Sequence, residues 1–165
     1  MGFAVSFFNL RAGTGALPPD GSSGIMMLDT QGKQTAKPLV AIVDDDPSFL
    51  RSMCRMLRIA GYNVGAFASP GDFLRSLPSS LPQCLVVDMH MPEMTGIELQ
   101  DRLLAEGFCV PAILVTAQDT EQTREQARRR GFSGLLLKPF DGEILLGAIE
   151  KLSAHSVAGA PPQVG

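Results

Sequence analysis

The sequence predicts an α/β protein built on one parallel sheet of five strands, flanked by five helices that cover both faces. Three observations carry this. Short strand-like runs at residues 39–43, 62–67, 84–87, 110–115 and 134–137 alternate with helix-like segments across 38–154. The first and third runs are continuously apolar (Leu39, Val40, Ala41, Ile42, Val43; Cys84, Leu85, Val86, Val87), the pattern of strands buried on both faces. A polar cap followed by proline recurs at Asp46 with Pro47 and at Ser69 with Pro70, and proline suits a first helical position because its missing N–H would be unpaired there anyway.

Composition bounds the class. A chain of 165 residues, 45% hydrophobic and 19% charged, fits a single soluble globular domain with room for a core. A net charge of -3 provides no electrostatic attraction for nucleic acid. Cys54, Cys84 and Cys109 are odd in number, scattered and set in apolar patterns. They read as reduced core thiols of a cytoplasmic protein, with neither a disulfide framework nor metal-ligand spacing. No apolar run approaches the ~20 residues of a membrane span. Residues 3–10 are apolar, but no basic residue precedes them and Arg11 ends the run, unlike a secretory signal. Residues 1–37, rich in glycine and proline, read as a disordered leader, 38–154 as the folded domain and 155–165 as a flexible tail. Met26 and Met27 offer an alternative translation start close to the first strand.

In the first helix, about 47–60, Leu50, Met53, Cys54 and Leu57 form one stripe and Arg51, Arg55 and Arg58 another, with Gly61 as the stop. The second strand, 62–67, is weakened by Gly65; Phe73, Leu74 and Leu77 mark a short helix that Pro78 closes. Thr95 and Glu98 have capping-box spacing and start a helix running to about Glu106. The fourth strand carries Pro111 near its start, where proline is tolerated. The next helix, about 119–130, is almost wholly polar, with Ala127 its main apolar contact and Glu125 placed to pair with Arg129. Few buried contacts imply a loosely held helix. Asp141 caps a last helix with Ile144, Leu145, Ala148, Ile149 and Leu152 on one face.

In a parallel sheet all C-terminal strand ends lie along one edge, where open α/β sheets bind ligands. Here strand one ends in Asp44 and Asp45, strand three in Asp88, strand four in Thr116 and strand five in Lys138. Taken alone, Asp88 reads as a turn or cap residue and Lys138 as a surface lysine; together they form a set suited to phosphoryl chemistry. Carboxylates pressed together repel and raise one another's pKa unless a cation sits among them. Hard oxygen ligands on a partly open loop suit Mg²⁺. Asp46 is assigned to helix capping instead.

This ordered set resembles the receiver family of two-component response regulators. Val43-Asp44-Asp45, Val87-Asp88 with Met91 and Pro92, Val115-Thr116-Ala117 and Leu137-Lys138-Pro139-Phe140 carry the resemblance, which covers nearly all of 38–154. It implies a flavodoxin-like sheet of order 2-1-3-4-5. It also implies a phosphoacceptor domain, not a conventional enzyme, that takes a phosphoryl group onto Asp88 from the phosphohistidine of a histidine kinase or phosphotransferase. Asp45, Asp88 and the backbone carbonyl of His90 would ligate Mg²⁺, Asp44 would act through water, and Lys138 and Thr116 would contact phosphoryl oxygens. His90 and Gln118 occupy positions that tune adduct lifetime in the family. Phe49, Ser52, Met53 and Met56 lie where the family docks its kinases, with Met53 assigned to the core. One departure is Leu135, which stands where the family places an aromatic residue coupled to the threonine; output is then expected through the polar helix by another route. The expectation is a stand-alone receiver signalling by protein contact or phosphorelay to an unknown output protein, without DNA or membrane binding.

Two alternatives stay beside it. Asp44-x-Asp46, Thr116 and Lys138 also follow the motif order of haloacid-dehalogenase-type phosphatases, with Asp44 as nucleophile, although only Asp141 and Glu143 supply the acidic pair expected after the lysine. The other is a receiver-like binding module that is not phosphorylated.

Overall fold

The computed structural model describes residues 37–157, with side chains through Ser153, and the backbone of the two-residue strands Ser6–Phe7, Met27–Leu28 and Gln34–Thr35. The rest of the expected leader and tail lies outside the described residues. The central sheet comprises β1 (Leu39–Val43), β2 (Asn63–Phe67), β3 (Cys84–Asp88), β4 (Ala112–Thr116) and β5 (Gly134–Leu137). The helices are α1 (Pro47–Ile59), α2 (Pro70–Ser76), α3 (Gly96–Ala105), α4 (Glu121–Arg129) and α5 (Gly142–Val157). The five strands are parallel in the order 2-1-3-4-5, and Ser6–Phe7 adds an antiparallel pairing at the β5 edge, Ser6 opposite Leu135 and Phe7 opposite Gly134.

Alternation along the strands builds two cores. Ala41, Leu85, Val87, Leu114 and Leu135 face Phe73 of α2, Leu99 and Leu103 of α3 and Ala127 of α4. Val40, Ile42, Val86, Val115 and Leu136 face Leu50 and Leu57 of α1 and Leu145 and Ile149 of α5. Each fully buried aliphatic or aromatic side chain contributes about 1.5–3 kcal/mol, so this two-sided packing is the main stabilising term.

Three of the expected helix starts act as the sequence predicts. Asp46 caps α1 by accepting from Ser48 N–H, Ser69 caps α2, and Thr95 with Glu98 closes a reciprocal capping box on α3. Three helices end in one device: a left-handed glycine (Gly61, Gly107, Gly131) whose N–H, with that of the following aromatic, returns to the last turn. Tyr62 bonds back to Leu57, Phe108 to Leu103 and Phe132 to Ala127, the paired bonds of a Schellman motif.

Boundaries move for local reasons. Tyr62 belongs to this helix stop, so β2 starts at Asn63. β4 starts at Ala112, after Pro111, which has no N–H to give the ladder, although its carbonyl accepts from Leu85 N–H at 2.9 Å. Helix α4 starts at Glu121, capped by Thr120, rather than at about 119, and Asp119 pairs with Arg124 ahead of it. Helix α5 continues to Val157, past the expected end at 154. Cys54 and Cys84 are buried, and burial pushes the Cys84 thiol up to about 12; Cys109 is exposed, contrary to a core role, because it lies between the α3 stop and β4.

Candidate functional site

The strand ends bring four of the expected side chains together. Asp44 and Asp88 are buried, 1% and 8% exposed, whereas Asp45 is exposed and Lys138 half-buried. One carboxylate oxygen from each of Asp44, Asp45 and Asp88 lies within 4.8 Å of the others. The Lys138 ammonium donates to Asp44 Oδ2 at 2.6 Å and sits 3.1 Å from Asp88 Oδ1. The other Asp88 oxygen accepts the His90 N–H at 3.0 Å, and Asp44 Oδ1 accepts the Asp46 N–H at 2.8 Å.

Electrostatics then favours a cation. At about 4.8 Å and an effective dielectric of about 20, each carboxylate pair repels by about 3 kcal/mol before screening at the exposed Asp45. Lys138 offsets part of this and leaves the ionised cluster with three negative charges against one positive. Burial pushes the Asp44 carboxyl above its ordinary pKa, against the opposing pull of Lys138 and the Asp46 N–H. Burial also opposes the Lys138 charge, but its bonds to Asp44 and Asp88 outweigh that and hold the ammonium above its ordinary value. An all-oxygen, partly open, net-negative cluster fits a hard divalent cation that keeps some of its waters. Asp44, Asp45 and Asp88 supply side-chain oxygens, with His90 in the adjoining loop.

Thr116 is placed differently. It is buried at the end of β4, beside the Asp88–Val115 register, but its hydroxyl is tied to the Gln118 backbone, donating to the carbonyl and accepting the N–H, both at 3.1 Å. Leu135 is fully buried in the core beneath α2, α3 and α4.

Three features were not legible in the sequence. A Cβ on Gly96 would lie 2.5 Å from the Asp88 carbonyl oxygen and 3.0 Å from Leu114 Cδ1, so the bare backbone at the start of α3 lets that helix abut the end of β3. The Gly96 N–H also donates to the Met89 carbonyl at 3.1 Å. In the intervening loop, Glu93 takes a left-handed conformation, φ 72°, beneath a 2.8 Å bond from Met94 N–H to Pro92 O; this is an uncommon backbone state for a residue with a Cβ. Finally, Met56 packs onto Gly142, where a Cβ would stand 2.0 Å from its sulfur. Phe49, Met53 and Met56 are all partly buried against the α1–α5 core. The large apolar residue α1 exposes is Ile59, 78% accessible.

A family model described as the response regulator receiver domain matches residues 40–150. The chain belongs to that family. Receivers are phosphoacceptor modules of two-component signalling, phosphorylated by histidine kinases, rather than enzymes in the ordinary sense. The chain is 32% identical over 126 residues to the response regulator protein TodT of Pseudomonas putida, covering 74% of this chain and 56% of that protein. It therefore spans little more than half the length of that relative. A response regulator receiver protein from Burkholderia phymatum is similar at 36% identity and a TM-score of 0.63, covering 76% of this chain and 99% of that one. A CheY-like receiver domain protein from Methanospirillum hungatei JF-1 is similar at 28% identity and a TM-score of 0.68, covering 75% and 100%. The sheet order of this receiver is the one the resemblance implied. No helix of the described residues is long and apolar enough to cross a membrane.

Family membership removes the phosphatase alternative, and the geometry agrees. The Asp46 carboxylate caps α1 by accepting from Ser48 and Phe49 N–H, leaving Asp44 without the second acidic partner that motif needs.

Proposed function

We propose that the protein is a receiver that accepts a phosphoryl group on Asp88 from the phosphohistidine of a sensor kinase or histidine phosphotransferase, in a Mg²⁺-dependent reaction. The observation that carries this is the convergence of Asp44, Asp45 and Lys138 on the Asp88 carboxylate at the end of β3. An Asp88 oxygen attacks phosphorus, the P–N bond breaks as the P–O bond forms, and the bonding pair returns to the donor imidazole, which leaves neutral because its other ring nitrogen carries the proton. Asp45, Asp88 and the His90 carbonyl, with Asp44 behind them, would hold Mg²⁺, which would supply positive charge for the phosphoryl oxygens.

The protein's own groups do the positioning. The His90 N–H orients one Asp88 oxygen, and Lys138, beside the other, is positioned to neutralise a phosphoryl oxygen of the incoming group. The Thr116 hydroxyl has one proton to give, so it donates to a phosphoryl oxygen only by releasing the Gln118 carbonyl, and phosphorylation at Asp88 is read out by the turn that leads into α4. Because Leu135 fills the core, an aromatic rotamer switch at that position has no counterpart here. Signal then passes by protein contact or phosphorelay in the cytoplasm, with α4 as the responsive element.

The test is phosphotransfer from a panel of autophosphorylated histidine kinases to the full chain, with and without EDTA. Mg²⁺-dependent label on wild type, and none on Asp88→Asn, is the expected result. Label of equal intensity on Asp88→Asn refutes the assignment, and no label from any kinase or from acetyl phosphate favours a binding module that is not phosphorylated.

A further inference from the structure

We propose that Phe49 is a positioning residue for phosphoryl transfer, its ring face holding the Lys138 ammonium against Asp44 and Asp88. This rests on the reading of Asp88 as phosphoacceptor. The ammonium has three close neighbours: Asp44 Oδ2 at 2.6 Å, Asp88 Oδ1 at 3.1 Å and the centroid of the Phe49 ring at 4.2 Å. That distance is well within the ~6 Å at which the negative face of an aromatic ring attracts a cation.

The ring is itself held. Phe49 is the third residue of α1, and its N–H is accepted by the capping Asp46 at 3.3 Å. Its ring meets Phe140 edge-on, with centroids 5.9 Å apart and planes at 81°. Phe140 lies two residues beyond Lys138, so the lysine and the turn after β5 both rest on the start of α1.

The chemistry gives the ring a use that a third carboxylate would not serve. Lysine has a long flexible stem, and its bonds to Asp44 and Asp88 are directional. When a phosphoryl group arrives, those bonds must be exchanged for one to a phosphoryl oxygen. A π face attracts the ammonium without requiring a particular N–H direction, and it occupies space that water would otherwise fill. The lysine thus stays beside Asp88 while its partners change. A surface aromatic belonging to a docking patch would instead be exposed; Phe49 is partly buried, with Phe140 at its edge.

The experiment uses the full chain with acetyl phosphate as donor at saturating Mg²⁺. Phe49→Leu keeps apolar volume and loses the π face, and Phe49→Tyr keeps the face. The expected result is a maximal phosphorylation rate about tenfold lower in Phe49→Leu, between the exposed and the desolvated limits of a cation–π contact, as suits a half-buried lysine, with donor half-saturation unchanged and Phe49→Tyr within about twofold of wild type. In a Lys138→Met background, Phe49→Leu should cost nothing further. NMR of the Lys138 side chain should show a ring-current shift in wild type and Phe49→Tyr that is lost in Phe49→Leu. Equal rates in wild type and Phe49→Leu, no rescue by tyrosine, or undiminished loss in the Lys138→Met background overturns the proposal. If Phe49→Leu does not fold, Phe49→Met replaces it. Failure of wild type to form an Asp88 adduct would sink the underlying reading, and the ring-current shift would still decide the Phe49–Lys138 contact.

Discussion

Gly96→Ala tests how tightly α3 is built against the phosphoacceptor strand. The added Cβ would lie 2.5 Å from the Asp88 carbonyl oxygen, 3.2 Å from its carbonyl carbon and 3.0 Å from Leu114 Cδ1. The first contact is with backbone, so α3 or the end of β3 must move. Overpacking of this kind costs about 1–3 kcal/mol. The lower unfolded-state entropy of alanine returns about 0.4–1 kcal/mol. A net loss of about 1–2 kcal/mol remains, which for a domain of this size lowers Tm by roughly 4–8 °C. Gly147→Ala is the control, because it lies within α5 and its Cβ would meet nothing within 4 Å. It should gain about 0.5–1 kcal/mol from helix propensity. Thermal and urea unfolding followed by circular dichroism measure both variants. Phosphorylation by acetyl phosphate should slow in Gly96→Ala and not in Gly147→Ala, because only the former displaces Asp88. A Gly96→Ala protein as stable as Gly147→Ala would refute the close-approach argument.

Other consequences follow from the same geometry. Mg²⁺ should raise the unfolding free energy by about 2.7 kcal/mol at a hundredfold excess over its Kd, and Asp45→Asn should abolish this shift while raising metal-free stability modestly, since it relieves a carboxylate repulsion that solvent screens at the exposed Asp45; a shift no larger than that produced by sodium at matched ionic strength would contradict it. The Glu98 carboxylate is held below its ordinary pKa by the Thr95 N–H and hydroxyl. Its contribution is therefore present above the ordinary value near about 4.3 and is lost as pH falls through the lower folded value. Urea unfolding from pH 6 to pH 3 should show an acid-side slope that Glu98→Gln reduces, and parallel curves would argue against the capping box. Helix α4 has Ala127 as its buried residue, whereas α3 buries Ile97, Leu99, Gln100 and Leu103. Amide exchange should accordingly be faster in α4 than in α3, and equal protection would remove the case for α4 as the responsive element.

The fold was legible because each level of the sequence agrees with the next. Continuous apolar strands, cap-plus-proline starts and glycine stops all locate elements by local chemistry, and a parallel sheet then carries Asp44, Asp88, Thr116 and Lys138 to one edge. Contacts made by side chains distant in sequence were less legible. Phe49 and Met56 lie off the main apolar stripe of α1 and read as surface residues until Lys138, Phe140 and Gly142, roughly ninety residues on, come to rest against them. Gly96 lies between Thr95 and Glu98 of the capping box, and nothing local reveals the Asp88 carbonyl behind it. The Thr116 hydroxyl took its partner from the Gln118 backbone two residues away, a turn that periodicity does not encode.

The central claim is that Asp88 is the residue phosphorylated. Wild type treated with acetyl phosphate and Mg²⁺, reduced with borohydride and digested, should yield homoserine at position 88 and unmodified aspartate at 44, 45 and 46. Modification at Asp44, or an adduct that persists undiminished in Asp88→Asn, would contradict it.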